Sequence, residues 1–136
     1  MNFEVRYLSK SGNTKKIADA IAKTAGSRSL TIEHAVVKET DILFLGAAVY
    51  WTGVDSKMKA FINNLDSKVK KVVVFSTASF VTSAYPDMKK LLEKKNLTVA
   101  EQEFHCKGKF KMIHAEHPNV TDIEEAIKFT KSILSK

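Results

Sequence analysis

The sequence predicts an α/β fold in which a five-stranded parallel sheet lies between two layers of helices, a three-layer doubly wound arrangement. Apolar patterns of strand period and helix period alternate along the chain, and one apolar run is nearly continuous, as in a strand buried on both faces. We expect a single domain over residues 1–136, because this length is sufficient for one hydrophobic core.

The first strand, loop and helix are predicted near the start of the sequence. Apolar residues alternate with polar ones over residues 3–7, as in a strand, and then recur at helical spacing from Ile17 until Gly26 ends the run. A short second strand is predicted over 30–33. The continuous apolar run 42–48 predicts a third strand in the centre of the sheet.

The second half of the chain continues the alternation. A helical stripe over 58–65 precedes a β-branched run at 72–75, which predicts the fourth strand, and a helix follows from about Tyr85. A more polar strand over 97–104 is typical of a sheet edge. The last helix is predicted to begin with a capping box over 121–124, whose hydroxyl and carboxylate each accept a backbone N–H.

The connection between the second and third strands is short. Residues 34–40 are too few for a crossover helix of ordinary length, so the second helix is predicted to be absent or reduced to a turn. Glu4 and Arg6 alternate with the apolar residues of the first strand, although a central parallel strand should be apolar on both faces. We therefore expect one sheet face near these strands to be incompletely covered, either wet or closed by a partner chain.

The chain carries a formal net charge of +7, with 22 basic and 15 acidic residues. The densest basic group lies over 105–111, and a solvated basic face is its simplest interpretation. No zinc-finger spacing, aromatic RNA-binding motif or long basic helix accompanies the charge, which disfavours nucleic acid as a partner.

Other features limit location and chemistry. No apolar run approaches the roughly 20 residues that cross a bilayer, and we expect a cytoplasmic protein without a membrane partner, either a monomer or a weak dimer. A zinc site built from His105, Cys106, His114 and His117 would match no familiar spacing of ligands. His105 is not expected to activate Cys106, because neighbouring residues on a strand point to opposite faces.

The loop between the first strand and the first helix carries the strongest functional signal. Its sequence, Ser9-Lys10-Ser11-Gly12-Asn13-Thr14, combines three hydroxyls, a carboxamide and a glycine at the start of a helix. Hydroxyl and backbone donors there suit a phosphate group, and glycine allows a close approach. An ordinary polar turn that caps a helix explains the loop alone equally well.

Several other phosphate-binding proteins are excluded. The sequence contains neither the nucleotide P-loop pattern nor the dinucleotide pattern G-x-G-x-x-G. The loop lacks the cysteine of small tyrosine phosphatases. Residues 46–48 lack the aspartate that response-regulator receivers place at the end of the third strand.

The segment 7–14 resembles the [ST]-x-[ST]-G-N-T phosphate signature of the flavodoxin family, and it lies between a strand and a helix as it does there. The segment 104–110 is similar to one in small bacterial flavodoxin-domain proteins. The resemblance implies the flavodoxin-like strand order 2-1-3-4-5 and flavin mononucleotide (FMN) as the cofactor.

The resemblance also implies that two further loops hold the flavin ring. Tyr50, Trp51, Phe80 and Tyr85 are candidates for stacking on it, and 51–54 resembles the turn whose peptide can flip when the flavin takes up a proton. The Gly-Asp pair often found after the fourth strand is missing here. The predicted cofactor-binding residues are Ser9, Lys10, Ser11, Gly12, Asn13, Thr14, Ala48, Val49, Tyr50, Trp51, Thr52, Gly53, Thr77, Ala78, Ser79, Phe80 and Tyr85.

The function that this resemblance implies is electron transfer by bound FMN, a flavoprotein role that requires no catalytic side chain and no metal. Because the chain is basic, we expect a redox partner protein that is acidic at the contact. Two alternatives stay open: a small FMN-dependent reductase of quinones or similar acceptors, and a binding module that has kept the fold and lost the cofactor.

Overall fold

The computed structural model describes residues 1–9, 12–49, 54–78, 84–107 and 118–135. Its parallel sheet has five strands in the order β2-β1-β3-β4-β5, which confirms the predicted fold class and strand order. The strands are β1 (Phe3–Leu8), β2 (Ser29–Thr31), β3 (Ile42–Val49), β4 (Val72–Ala78) and β5 (Phe104–Lys107). The helices in the described ranges are α1 (Asn13–Ala25), α2 (Ser56–Asn63), α3 (Tyr85–Lys94) and α4 (Val120–Leu134).

The sheet separates two hydrophobic clusters. Helices α1 and α4 pack together over one face, with Phe44 and Phe75 beneath them, and α2 and α3 cover the other face over Leu43 and Leu45. Successive residues of a strand point to opposite faces, so the continuous apolar run of β3 supplies both clusters. None of the described helices is long and apolar enough to cross a membrane.

Gly46 lies in the middle of β3, opposite Phe75 of β4. A Cβ atom built on Gly46 would overlap the ring of Phe75. The glycine is therefore needed for the close approach of an aromatic ring to the strand, and its φ does not lie in the left-handed region.

No helix connects β2 to β3, as predicted, because residues 32–41 form turns and irregular backbone. The predicted incomplete cover of the sheet face beside this connection does not extend to Arg6, which is only 3% exposed. Its guanidinium donates to the carbonyls of His34 (Nε, 2.8 Å) and Ala35 (Nη2, 3.3 Å), and it pairs with Glu4 at 3.3 Å. The chain's own connection thus replaces the missing helix, and a charged side chain holds it in place.

A groove of about 750 Å³ remains on this face, between the β2–β3 connection, the end of β1 and α2. Its apolar lining includes Leu8, Ile32, Val36 and Phe61. The short connection therefore covers Arg6 without filling the whole space that a crossover helix would occupy.

The last strand differs from its prediction. The polar segment over 97–104 is not a strand, except that Val99 makes an isolated bridge to Val72. Regular pairing begins only where Phe104 meets Phe75, so β5 is four residues long and starts at the end of the predicted segment. The predicted β2 is likewise displaced, from 30–33 to Ser29–Thr31.

The cap of the last helix also lies earlier than predicted. Asn119 is the N-cap of α4, its side chain accepts from the N–H of Asp122 at 3.0 Å, and Asp122 accepts from the N–H of Asn119 at 2.9 Å. An asparagine and an aspartate make the reciprocal pair that was assigned to 121–124, because they stand at the same spacing two residues upstream.

Candidate functional site

The carboxyl ends of the parallel strands meet at one edge of the sheet, where doubly wound folds bind ligands. The loop after β1 begins with Ser9 and leads to Gly12, the N-cap of α1, whose φ of 87° lies in the left-handed region. The Gly12 N–H donates to Oγ of Ser9 at 3.0 Å. A Cβ atom at Gly12 would have nothing within 4 Å, so this backbone faces open space.

Among the described residues, the amino terminus of α1 has neither a capping side chain at its N-cap, which is Gly12, nor an acidic residue in its first turn. By contrast, Asp55 caps α2 through the N–H of Lys57 at 2.8 Å, and Asn119 caps α4. The positive end of the α1 dipole is therefore available to an anion.

Thr14 and Thr77 meet inside the protein. Their Oγ1 atoms lie 2.9 Å apart, and the residues are 0% and 2% exposed. Thr77 is near the end of β4, opposite Ala48 of β3. Since β3 lies between β1 and β4, this hydrogen bond joins the start of α1, which follows β1, to the end of a strand two positions from β1 in the sheet.

The described part of the predicted site thus falls into one region. Asn13 and Thr14 are buried at the start of α1, and the backbones of Val49 and Ala78 pair at the ends of β3 and β4. The predicted residues at this edge are Ser9, Gly12, Asn13, Thr14, Ala48, Val49, Thr77 and Ala78. The predicted residues outside the described ranges are Lys10, Ser11, Tyr50, Trp51, Thr52, Gly53, Ser79 and Phe80.

Tyr85, a predicted candidate for stacking on the flavin ring, uses its hydroxyl within the protein. Its hydroxyl donates to the carbonyl of Ala100 at 2.8 Å, and Nζ of Lys89 lies 5.7 Å from its ring centre. The N–H of Ala100 bonds to Val72, the first residue of β4. The phenol therefore reaches toward the amino end of β4, away from Thr77.

Ser76 is a residue that the sequence analysis did not select. It is fully buried in β4, and its Oγ accepts from the N–H of Ala84 at 3.2 Å. This bond ties the end of β4 to the residue before α3, and so closes the base of the loop between them. The available signal was a pair of hydroxyl residues, Ser76 and Thr77, within an otherwise apolar strand.

Cys106 and His105 do not form a nucleophile and base. Burial first, and then the charges of Asp122 and Glu125, raise the pKa of the Cys106 thiol to about 12. Nδ1 of His105 lies 3.0 Å from the carboxylate oxygens of Glu103. Within the described ranges no three His, Cys, Asp or Glu side chains gather as metal ligands; His114 and His117 lie outside those ranges.

The donor set at the carboxyl edge fits a phosphate monoester. Phosphate oxygens accept hydrogen bonds, and the edge offers short hydroxyl side chains, a helix terminus without acidic residues and a glycine open to a close approach. An acidic residue in the first turn of α1 would oppose this charge, and none is present there.

Comparison with known proteins agrees with this geometry. A family model described as "Flavodoxin domain" matches residues 4–116. The uncharacterized protein MJ0298 of Methanocaldococcus jannaschii is 29% identical over 136 aligned residues, which cover 90% of each protein.

Solved structures share the fold at low sequence identity. A flavodoxin from the domain Archaea is similar with a TM-score of 0.81 and 19% identity, over 99% of this chain and 97% of that one. The rubredoxin oxygen:oxidoreductase of Desulfovibrio gigas is similar with a TM-score of 0.76 and 10% identity, over 98% of this chain and 35% of that one. These likenesses show the fold, and the family model adds a match over most of the sequence. The chain belongs to the flavodoxin domain family.

Proposed function

We propose that this chain binds FMN at the carboxyl edge of its sheet and transfers electrons through it. The observation that carries the proposal is the open, acid-free start of α1 behind Gly12, at the place where the family signature lies. FMN, when bound, accepts and donates one or two electrons. The protein's part is to bind it, shield it from water and tune its potential.

The proposed roles at the start of α1 rest on the positions of the described residues there. The backbone N–H groups at the start of α1 and the hydroxyl of Thr14 would hold the phosphate, and the sequence resemblance assigns Lys10 and Ser11 to the same task. The loops after β3 and β4 would hold the ring, with Tyr50, Trp51 and Phe80 as the aromatic candidates. These loop roles rest on the sequence resemblance.

Two comparisons support a redox role. Membership of the flavodoxin domain family implies a flavin cofactor, typically FMN. The same fold forms about a third of the Desulfovibrio gigas rubredoxin oxygen:oxidoreductase, a redox enzyme by its name.

The direct test is the spectrum of the purified protein before and after addition of FMN. We expect a yellow complex with flavin absorption bands and quenched flavin fluorescence, together with reversible reduction by dithionite. A protein that stays colourless and leaves FMN fluorescence unchanged would instead be a binding module without cofactor. Oxidation of a nicotinamide cofactor by the chain alone, with a quinone as acceptor, would favour a reductase.

We further propose that the redox partner is acidic at the contact. The first turns of α1 and α2 contain no acidic residue, and they carry the exposed lysines Lys16, Lys57 and Lys59, together with Lys15, which pairs with Asp19 at 2.8 Å. Both helices begin at the carboxyl edge, so these cations lie on the same side of the molecule as the proposed flavin. Opposite charge at the partner's surface would steer the encounter and set its orientation.

A further inference from the structure

We propose that Thr77 is a positioning residue for the phosphate site: its hydroxyl donates to Oγ1 of Thr14 and so directs the single hydroxyl proton of Thr14 toward the flavin phosphate. This inference rests on the proposed function. It gives Thr77 a role toward the phosphate, whereas the sequence resemblance placed the loop that contains it at the flavin ring.

The contact itself is well defined. The two oxygen atoms lie 2.9 Å apart with both residues buried, and either atom can be the donor. Thr77 has the same parity in β4 as Phe75, whose side chain lies in the cluster beneath α1 and α4. The Thr77 side chain therefore points to the face on which α1 begins.

The direction of the hydrogen bond follows from the chemistry of the ligand. Each hydroxyl has one proton to donate and two lone pairs to accept with. A phosphate offers only acceptors, so Thr14 can bind it only by donating its proton. Thr14 must then act as the acceptor in its bond with Thr77, and a hydroxyl that accepts one hydrogen bond becomes a stronger donor in the next.

The same contact gives phosphate binding a structural consequence. The bond connects the start of α1 with the end of β4, across the intervening β3. Fixing the Thr14 hydroxyl in advance lowers the entropy lost when the phosphate binds. We therefore expect Thr77 to affect FMN, which has a phosphate, and to have little effect on riboflavin, which has none.

The test is a double-mutant cycle with Thr14→Val and Thr77→Val, measured as dissociation constants for FMN and for riboflavin. T14V should weaken FMN about ten- to a hundredfold, the effect of a lost hydrogen bond to a charged group. T77V should weaken it about three- to tenfold in the wild-type background, and it should have no further effect in the T14V background. In all these variants, the dissociation constant for riboflavin should change less than about twofold.

Two further variants separate positioning from packing. Thr77→Ser keeps the hydroxyl and should restore FMN affinity. Thr130→Val removes another fully buried hydroxyl, which donates to Ala126 within α4, and should change neither affinity. Should T77V not fold, Thr77→Ala takes its place in the cycle.

The outcomes distinguish the inference from the proposed function. Additive losses of T14V and T77V, equal losses for FMN and riboflavin, or failure of T77S to restore binding would overturn the role of Thr77 while FMN binding stands. A wild-type protein that binds no FMN would overturn the proposed function, and this inference with it.

Discussion

The buried hydroxyls of Thr14 and Thr77 lie 2.9 Å apart, at the sheet edge where the loop after β1 leads into α1. A buried hydroxyl without a partner costs about 1–3 kcal/mol, so each residue satisfies the other. In the arrangement proposed above, Thr77 donates to Thr14, and the proton of Thr14 is left for an anion. The hydrogen bond between the two residues thus forms without a ligand and still leaves a donor for one.

Burial makes the thiol of Cys106 less reactive, because it raises the thiol pKa. Because its thiol pKa is raised to about 12, the neutral form dominates at physiological pH, and the thiolate is the form that reacts. We predict that iodoacetamide modifies Cys106 at pH 8 at least roughly tenfold more slowly than it modifies a free cysteine. The rate should keep rising with pH beyond 9.5 without a plateau.

Mass spectrometry of timed samples measures this rate, with the urea-unfolded chain as the control. Fast modification of the folded protein, with a titration midpoint near the ordinary cysteine value, would contradict the burial seen here.

At the scale of elements, β2 and β3 are joined by an irregular connection in place of a helix, and Arg6 holds this connection by hydrogen bonds. We predict that Arg6→Met lowers the free energy of unfolding by about 1–3 kcal/mol, because the carbonyls of His34 and Ala35 lose a charged donor. Urea denaturation measures the loss, and hydrogen exchange should quicken in the connection. Arg28→Met, at an exposed arginine, is the matched control.

An unchanged stability of R6M, or one equal to that of the Arg28 variant, would mean that the guanidinium does not hold the connection.

The β3–β4 pair gives a second prediction at this scale. Gly46→Ala should lower the free energy of unfolding by about 1–3 kcal/mol, since the added Cβ overlaps the ring of Phe75. The loss should shrink when Phe75→Leu has already removed the ring. Gly26→Ala is a useful comparison, because a Cβ there meets open space and the strain comes only from its positive φ.

Chemical denaturation of the four proteins in this cycle supplies the interaction energy. If G46A lowers the free energy of unfolding equally with and without the Phe75 ring, the added Cβ does not clash with that ring.

The elements along the chain were predictable because their signals are local, whereas the strand order in the sheet was implied by the resemblance to flavodoxins. The alternating periods, the helix end at Gly26 and the short connection after β2 all lie within a few neighbouring residues. The start of β5 was not predictable, since pairing resumes where Phe104 meets Phe75, far away in sequence. For the same reason the loop after β1 could be selected as a site, whereas its partner Thr77 could only be assigned to a neighbouring loop.

The hydrogen bond of the Tyr85 hydroxyl was not predictable from the sequence. Tyr85 stands beside the loop after β4, which makes it a stacking candidate, and in the structure its hydroxyl donates to the carbonyl of Ala100. A tyrosine near a loop has both an apolar ring to bury and a hydroxyl to hydrogen-bond, and only the tertiary structure decides where each goes.

At the scale of the whole molecule, the charge of +7 should govern encounters with electron acceptors. We predict that the reduced protein transfers electrons to ferricyanide, a small anion, more slowly as ionic strength rises from about 0.01 to 0.5 M, and to hexaamminecobalt(III), a small cation, more rapidly. Stopped-flow absorbance measures both rates.

Two charge-reversal variants locate the effect. Lys57→Glu with Lys59→Glu, in the first turn of α2, should weaken the salt dependence with ferricyanide. Lys94→Glu with Lys95→Glu changes the net charge equally at the far end of α3, and should change the rate less. Equal effects of the two pairs would show that the charge acts only through its total.

The central claim is that the loop after β1 binds the phosphate of FMN. The affinities of the wild-type protein, Ser11→Ala, Thr14→Ala and the control Thr130→Ala for FMN and for riboflavin test it most directly, by fluorescence titration. We predict that the wild type prefers FMN, that S11A and T14A each weaken FMN about tenfold or more, and that riboflavin binding hardly changes. Equal affinity of the wild type for the two flavins, or equal losses for both in the variants, would contradict the account.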